Sequence, residues 1–353
     1  MTSGGVDCYT DDMEILRFHP FNCRLRLLLV PAVMCAMVSP AMSAPPDPAM
    51  TQQYRQLQAL DVRLWSVGHR LAIANAELCQ DRSTLTGAIL HDRHMYDANG
   101  QAAFAFATDV AIAGVVPGSP AAQAGLRDGD GLIAVNDAAP APEGDSADAA
   151  RARLGAANDL LEQAPPDREM TLSILRDGKR FDIKLSGLAG CASRYEVSPR
   201  NSVGGSADGR FVGVTIGMMD LAQSEDALAA LVAHEMAHNI LHHAERLKAS
   251  GGWPGLLGPL DSATGRVRET EAEADRLSIW LLANAGYDID AGLAFWQKLS
   301  RKKGYGIFSD GTHYRWKRRL AMMQQERTLL AATQPMDGIK IPDLVRQPHK
   351  PLD

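Results

Sequence analysis

The chain has 353 residues, of which 46% are hydrophobic, so it carries enough apolar side chains for more than one packed core and is not disordered as a whole. Its 36 Lys and Arg residues against 42 Asp and Glu residues give a net charge of −6, which lacks the basic excess of nucleic-acid-binding proteins. No stretch reaches the roughly 20 apolar residues of a membrane-spanning helix, so we expect no transmembrane span and leave only peripheral membrane association open.

The N-terminal residues have the three-part plan of a secretory signal. Arg17, Arg24 and Arg26 precede the apolar run 27–38, and small residues follow at 39–44. We predict that residues 1–43 form a signal peptide, which is cleaved near Ser43 or retained as a shallow anchor. The protein would then cross the inner membrane, and a bacterial periplasm is the expected location.

The next predicted elements are one long helix and a β-rich stretch. Residues 50–78 carry apolar side chains at three- and four-residue steps, which predicts an amphipathic helix, broken or bent near Gly68. Short β-type runs follow between Gly, Pro and Asp residues. They predict strands at 110–116, 132–135, 170–175 and 180–185, helices at 121–125 and 147–163, and a hairpin turn at Asp177-Gly178.

Part of this β-rich stretch resembles bacterial PDZ domains. The resemblance lies in Val116-Pro-Gly-Ser-Pro-Ala-Ala-Gln-Ala-Gly-Leu-Arg-Asp-Gly-Asp130. It implies a module that adds an extended peptide to a sheet edge and holds its terminal carboxylate on backbone amides, so a C-terminal peptide is a candidate partner. We place the carboxylate loop at 103–107, although Ala-Phe-Ala-Phe-Ala is unlike the usual Gly-rich loop. A module that only packs is the alternative.

The C-terminal part of the chain reads as a strand followed by helices. Ser224 is a natural N-cap, because its hydroxyl can accept from the first turn of a helix and acidic residues follow it. The pattern predicts a strand at 211–216, helices at 224–247, 267–285, 290–301 and 314–331, a Gly/Pro-rich loop at 250–265, and an extended tail from 335.

The strongest chemical signal is His234-Glu235-Met-Ala-His238 within the first of these helices. Residues four apart lie on one helix face, so both imidazoles can bind a single zinc ion. Glu235 is turned about 100° from His234 and therefore flanks the metal. This is the position of a general base that acts on a water molecule activated by zinc.

Zinc bound by two histidines needs a third protein ligand. Glu271 and Asp275 lie four apart on the apolar side of the 267–285 helix, so we predict Glu271 as the third ligand and Asp275 as a hydrogen-bond partner that orients a ligand histidine. Glu269 and Glu273 point elsewhere on the helix, and we expect them to be solvated. His242 and His243 follow the motif, and we expect them to pack or to lie on the surface.

The His-Glu-x-x-His helix followed by Glu271-Ala-Glu-Ala-Asp-Arg-Leu277 resembles the gluzincin zinc metallopeptidases that include the HtpX, CAAX prenyl, mitochondrial Oma and periplasmic BepA proteases. The segments 213–219 and 311–321 also fit this family, although Tyr314 replaces an expected proline. Without transmembrane helices, the chain resembles the secreted branch.

The resemblance implies an α+β fold, namely a mainly helical, minigluzincin-like peptidase domain with a small sheet, interrupted by the PDZ-like β-rich domain. It also implies one Zn²⁺ per chain. The expected substrate edge is the strand Phe211, Val212, Gly213, Val214 and Thr215. His313 or Arg319 would stabilise the oxyanion, shape the pocket, or be structural.

If the 50–78 helix belongs to the peptidase core, the PDZ-like module is an insert. The predicted boundaries are 44–90 for the linker and first core helix, 91–188 for the insert, 189–334 for the peptidase domain and 335–353 for the tail. An inserted domain has neighbouring ends, so we predict a disulfide between Cys79 and Cys191, with two buried free thiols as the alternative.

The function that these features indicate is peptide-bond hydrolysis by an exported zinc metalloendopeptidase that acts on unfolded or extended protein segments. Envelope protein quality control is the expected role. The alternative is a peptide-binding adaptor or chaperone whose zinc site is structural or latent. This alternative gives Glu235 no chemical role.

Overall fold

The computed structural model describes residues 45–250, 260–301 and 315–346, with side chains in the second range from residue 265. The helices are α1 (Pro48–Ala74), α2 (Ala98–Phe104), α3 (Pro120–Gln123), α4 (Ala147–Glu162), α5 (Ile216–Leu221), α6 (Glu225–Ile240), α7 (His243–Ala249), α8 (Leu260–Asn284), α9 (Ile289–Arg301), α10 (Trp316–Ala332) and α11 (Asp343–Arg346). The strands are β1 (Arg82–Leu85), β2 (Ala88–Asp92), β3 (Val110–Val115), β4 (Gly131–Val135), β5 (Met170–Arg176), β6 (Lys179–Leu185), β7 (Leu188–Cys191), β8 (Arg194–Ser198), β9 (Gly205–Ala207) and β10 (Phe211–Thr215). Within these ranges, no helix is both long enough and apolar enough to cross a membrane.

The larger core is helical and is built around α6. Nearly every residue of α6 is buried, and α1, α8 and α9 pack against it. Ser224 caps α6 as predicted, because its hydroxyl accepts from the backbone N–H of Ala227. A three-stranded sheet in the order β8-β10-β9 lies beside these helices. The fold is therefore α+β.

Helix α1 runs from Pro48 to Ala74, so the predicted break near Gly68 is wrong. The glycine has a packing role instead. A Cβ at position 68 would lie 2.2 Å from the ring of Tyr195, whose hydroxyl donates to the carbonyl oxygen of Gly68. The absence of a side chain lets strand β8 approach α1 closely.

The smaller core belongs to a five-stranded sheet in the order β2-β3-β4-β5-β6, which α4 covers. Asp177 and Gly178 join β5 to β6 with positive φ angles of 51° and 71°, as the hairpin prediction requires. The sheet begins at Ala88, before the predicted start of the module at residue 91.

The sheet order corrects the placement of the carboxylate loop at 103–107. A carboxylate loop directly before β3 would make β3 the strand along which a peptide binds, but β3 pairs with β2 on one side and with β4 on the other. A strand that is paired on both sides has no open edge for another strand. The edges of this sheet are β2 and β6.

The chain enters and leaves this part of the structure through adjacent strands. β1 and β7 pair antiparallel, with Arg82 opposite Cys191. A disulfide joins Cys79 to Cys191 at the same end, across a separation of 112 residues, with Cα atoms 5.4 Å apart. The two ends of the β-rich stretch are therefore held together covalently.

Three further predictions of secondary structure differ from the structure. The helix expected over 224–247 is divided into α6 and α7, because His242 adopts a left-handed conformation with φ 52°. Helix α8 begins at Leu260, inside the expected 250–265 loop, of which residues 251–259 lie outside the described residues. The tail contains the short helix α11 instead of remaining extended up to residue 346.

Candidate metal centre

Three predicted ligands meet between α6 and α8. The Nε2 atoms of His234 and His238 lie 3.3 Å apart. The carboxylate oxygens of Glu271 lie 3.2 Å from His234 Nε2 and 3.5 Å from His238 Nε2. All three side chains are largely shielded from solvent, and within the described ranges they are the only such group that could hold a metal ion.

The spacing of these atoms fits zinc. Ligand atoms held about 2.0–2.1 Å from a tetrahedral zinc ion lie about 3.3 Å from one another, which is the separation seen here. Three protein ligands leave the fourth tetrahedral position for water or substrate, as in catalytic zinc sites.

The electrostatics of the cluster also favour a cation. Burial opposes protonation of His234, but the carboxylates of Asp275 and Glu271 outweigh it and raise the pKa of His234 to about 10. Burial instead lowers the pKa of His238. The two carboxylates therefore draw positive charge to the point where the ligand atoms meet, and a bound divalent ion would supply it.

Asp275 was expected beside one of the ligand histidines, and it lies beside His234. Its Oδ1 is 3.2 Å from His234 Nδ1, and both of its oxygens accept hydrogen bonds of 2.7 Å from the guanidinium of Arg319 on α10. Burial opposes ionisation of Asp275, but Arg319 and His234 outweigh it and hold the pKa of this carboxyl below its ordinary value. Arg319 acts on the site through Asp275. His313, the other candidate for oxyanion or pocket roles, lies outside the described residues.

Glu235 lies in a narrow cleft beside the ligands and is only 7% exposed. Strand β9 passes directly over it. A Cβ at Gly205 would lie 2.5 Å from Glu235 Oε1, so only glycine fits at this position without a shift of the carboxylate. Asn239 fixes this arrangement, since its side chain accepts from Gly209 N in the turn between β9 and β10 and donates to Phe211 O at the start of β10.

This geometry corrects the predicted substrate edge. Strand β10, which comprises Phe211–Thr215, pairs in parallel with β8 and antiparallel with β9. Both of its sides are occupied by strands, so β10 cannot take an added peptide. The edge of the sheet next to Glu235 is β9. The sequence signal for β9 is weak, because Gly204-Gly205-Ser206 has little β propensity.

A second group of polar side chains adjoins His238, and the sequence predicts no role at the metal for these residues. His243 Nδ1 lies 2.8 Å from His238 Nδ1, and His243 Nε2 lies 2.9 Å from Glu273 Oε2. Arg246 donates to the same carboxylate. Burial opposes ionisation of Glu273, but its hydrogen bonds to His243 and Arg246 outweigh it and lower its pKa to about 2.

The predicted environment of Glu273 is therefore wrong, whereas His243 is buried, as one of its two expected environments required. Glu273 is not solvated, and His243 touches a ligand. The reason is the bend at His242. In an unbroken helix, a residue five positions after His238 would lie about 140° round the axis, facing away from it. The left-handed backbone at His242 turns α7 back toward the cluster.

Two parts of the chain match known protein families. Residues 201–256 match peptidase family M48, a segment that holds β9, β10, Glu235 and both ligand histidines. This segment of the chain is similar to M48 peptidases. Residues 112–176 match the PDZ domain family, within the five-stranded sheet. The M48 domain and a PDZ domain thus share one chain, as the sequence resemblances implied.

One curated relative is the mitochondrial metalloendopeptidase OMA1 of Schizosaccharomyces pombe. It is 25% identical over 130 residues, which cover 31% of this chain and 39% of the relative. The match thus spans well under half of that protein. Among solved structures, the HtrA-type protease AlgW with a decapeptide matches at 16% identity and a TM-score of 0.24, over 31% of this chain and 30% of that one. A likeness this low carries no weight for the fold or for the function.

Proposed function

We propose that this protein is an exported zinc metalloendopeptidase that hydrolyses peptide bonds in unfolded or extended protein segments. The observation that carries the proposal is the position of Glu235, which lies in the same cleft as His238 and Glu271 and directly follows the ligand His234. A structural zinc site closes its coordination sphere with protein ligands and needs no buried carboxylate beside it.

The residues of the cleft divide the chemistry between them. Zinc, held by His234, His238 and Glu271, would polarise the scissile carbonyl and make a water molecule acidic near neutral pH. Glu235 accepts the proton of the attacking water and passes it to the nitrogen of the leaving amine. Asp275 holds the ring of His234 in the tautomer whose Nε2 faces the metal.

We assign substrate binding to the edge strand β9. An extended peptide that pairs with Gly205–Ala207 would run directly past Glu235. Main-chain hydrogen bonds of this kind hold any extended segment with little preference for its side chains. This predicts a protease for unfolded chains, and it supports a role in protein quality control of the cell envelope.

The PDZ domain would present or sense peptides. Of its two edge strands, β2 is wholly buried, with each residue at most 8% exposed, whereas β6 carries mostly exposed side chains. Helix α4 packs against β2, so a C-terminus captured at β2 would lie between β2 and α4. Fluorescence anisotropy with one peptide in free-acid and amide forms tests this, since only carboxylate capture distinguishes the two.

Export rests on the sequence of residues 1–43, which lie outside the described residues, and on the disulfide, which needs an oxidising compartment. Cell fractionation of a bacterial host that expresses the full chain tests it. Recovery of oxidised protein from the periplasm supports export, whereas reduced protein in the cytoplasm contradicts it.

The hydrolytic activity is tested by metal analysis together with casein hydrolysis. We expect about one zinc per chain, hydrolysis that a chelator abolishes, and recovery when zinc is added back. A protein that holds its zinc, binds unfolded casein and cleaves none would instead be the adaptor or chaperone, with a latent or structural metal site.

A further inference from the structure

The two ligand histidines have different partners on their Nδ1 atoms. The Nε2 atoms of both rings face each other, and a zinc ion held there would leave each Nδ1 with a proton that another group must accept. For His234 the acceptor is a carboxylate, Asp275 Oδ1 at 3.2 Å. For His238 it is a second imidazole, His243 Nδ1 at 2.8 Å.

The hydrogen bonds beyond His238 have only one consistent direction. If His238 Nδ1–H donates to His243 Nδ1, then His243 carries its own proton on Nε2. That Nε2–H donates to Glu273 Oε2 at 2.9 Å. The carboxylate of Glu273 also accepts from Arg246. Each ring N–H group in this row thus meets an acceptor.

The hydrogen bonds behind His238 end in the same kind of ion pair as those behind His234. There a carboxylate, Asp275, is held by a guanidinium, Arg319. Here the carboxylate Glu273 is held by the guanidinium of Arg246. The difference is that a neutral ring separates the anion from His238. His243 is 2% exposed, so water does not compete for its nitrogens.

We propose that His243, oriented by Glu273 and Arg246, is a positioning residue that fixes the tautomer and the ring orientation of the zinc ligand His238. This rests on the proposed zinc site. The bend at His242 then contributes to the metal centre, because it places α7 so that His243 faces α6. It also makes α7 part of the metal centre.

The test measures zinc affinity by competition with a chromophoric chelator, and the visible absorption of the Co²⁺-substituted protein. We expect His243→Ala to bind zinc about 10–100-fold more weakly and to change the Co²⁺ bands. His243→Asn should recover most of the affinity, because its Oδ1 can accept from His238. Glu273→Gln, which is nearly isosteric, should weaken binding to a smaller degree.

Glu269→Gln is the matched control, since it removes the same charge from an exposed position of the same helix. It should leave affinity and spectrum unchanged. If the role of His243 is purely structural, the variants will shift only the unfolding midpoint of the metal-free protein. The zinc affinity and the Co²⁺ bands of folded His243→Ala and Glu273→Gln would then equal those of the wild type. That result would overturn the proposal. Failure of wild-type protein to bind zinc would overturn the metal site itself, and the inference with it.

Discussion

The PDZ domain and the metal centre of the peptidase domain are assembled in opposite ways. In the PDZ domain, β3 to β6 lie in the sheet in their chain order, and β5 and β6 are joined by a two-residue turn. The metal centre instead gathers side chains from α6, α7, α8 and α10. Local contacts specify the first region, whereas the second depends on contacts between distant parts of the chain.

The largest effect should come from removing the partner of Asp275. Arg319→Met leaves a carboxylate with 0% exposure without its guanidinium, so we expect the free energy of unfolding to fall by about 3–5 kcal/mol. Urea denaturation of the metal-free protein measures this. Lys317→Met, at an exposed position of the same helix, is the control and should stay near wild type. Equal stabilities for the two variants would mean that the centre does not depend on α10.

Removal of the disulfide tests how much it stabilises the junction between the PDZ domain and the peptidase domain. In the loop-entropy model, a 112-residue separation corresponds to about 5 kcal/mol, and strain in the folded state usually lowers this figure. We expect the double variant Cys79→Ala/Cys191→Ala to lose about 2–5 kcal/mol of unfolding free energy. Reductant should destabilise the wild type and leave the double variant unaffected. A wild-type protein that is insensitive to reductant would contradict the disulfide.

A pH-dependent effect is expected at Asp61, where α1 meets β8. Burial and the nearby Glu196 raise the pKa of Asp61 from 3.8 to about 7, although the N–H of Val197 donates to it. The folded state therefore binds a proton more tightly than the unfolded state, and stability is lost as the pH rises from about 4 to about 7.

The variant Asp61→Asn removes this penalty and keeps an acceptor for Val197. At pH 8 it should exceed the wild type by on the order of 1–3 kcal/mol, since the half-buried carboxylate is partly screened. Near pH 4 the two proteins should unfold alike. Urea titrations at both pH values decide this, and a constant difference would show that Asp61 does not titrate between them.

The smallest effect should come from His242. Glycine adopts positive φ without the steric cost that other residues meet, but it also gains freedom in the unfolded chain. We expect His242→Gly to raise the unfolding free energy by about 0.5–1 kcal/mol without weakening zinc binding. His242→Ala is the matched variant and should gain nothing. A loss in both variants would mean that the side chain of His242, and not the backbone, maintains the bend.

Local signals in the sequence predict the structure correctly. The Asp177-Gly178 turn, the Ser224 cap and the spacing of His234, Glu235 and His238 each depend on residues within one turn or one helix. Where a contact with a distant part of the chain determines the local structure, these signals mislead. A glycine within a helical pattern predicts a break or a bend at Gly68, but the helix is unbroken and the ring of Tyr195 fills the space above the glycine.

The same limit explains the errors in the site. Strand β10 has the strongest β propensity in its neighbourhood, yet β9 forms the edge of the sheet. The sequence of a single strand does not show which other strands it pairs with. Glu273 lies on a different face of α8 from Glu271, which predicts that it is solvated. Only the left-handed backbone at His242 brings His243 and Arg246 to it.

The most direct measurement compares Glu235→Gln with the wild type at equal zinc content. Glutamine keeps the shape of the side chain and cannot accept the proton, so the variant should still bind about one zinc per chain and hydrolyse unfolded casein about 10²–10⁴-fold more slowly. Hydrolysis at the wild-type rate by the zinc-loaded variant would contradict the role assigned to Glu235, and with it the account of this cleft as the active site of a metalloendopeptidase.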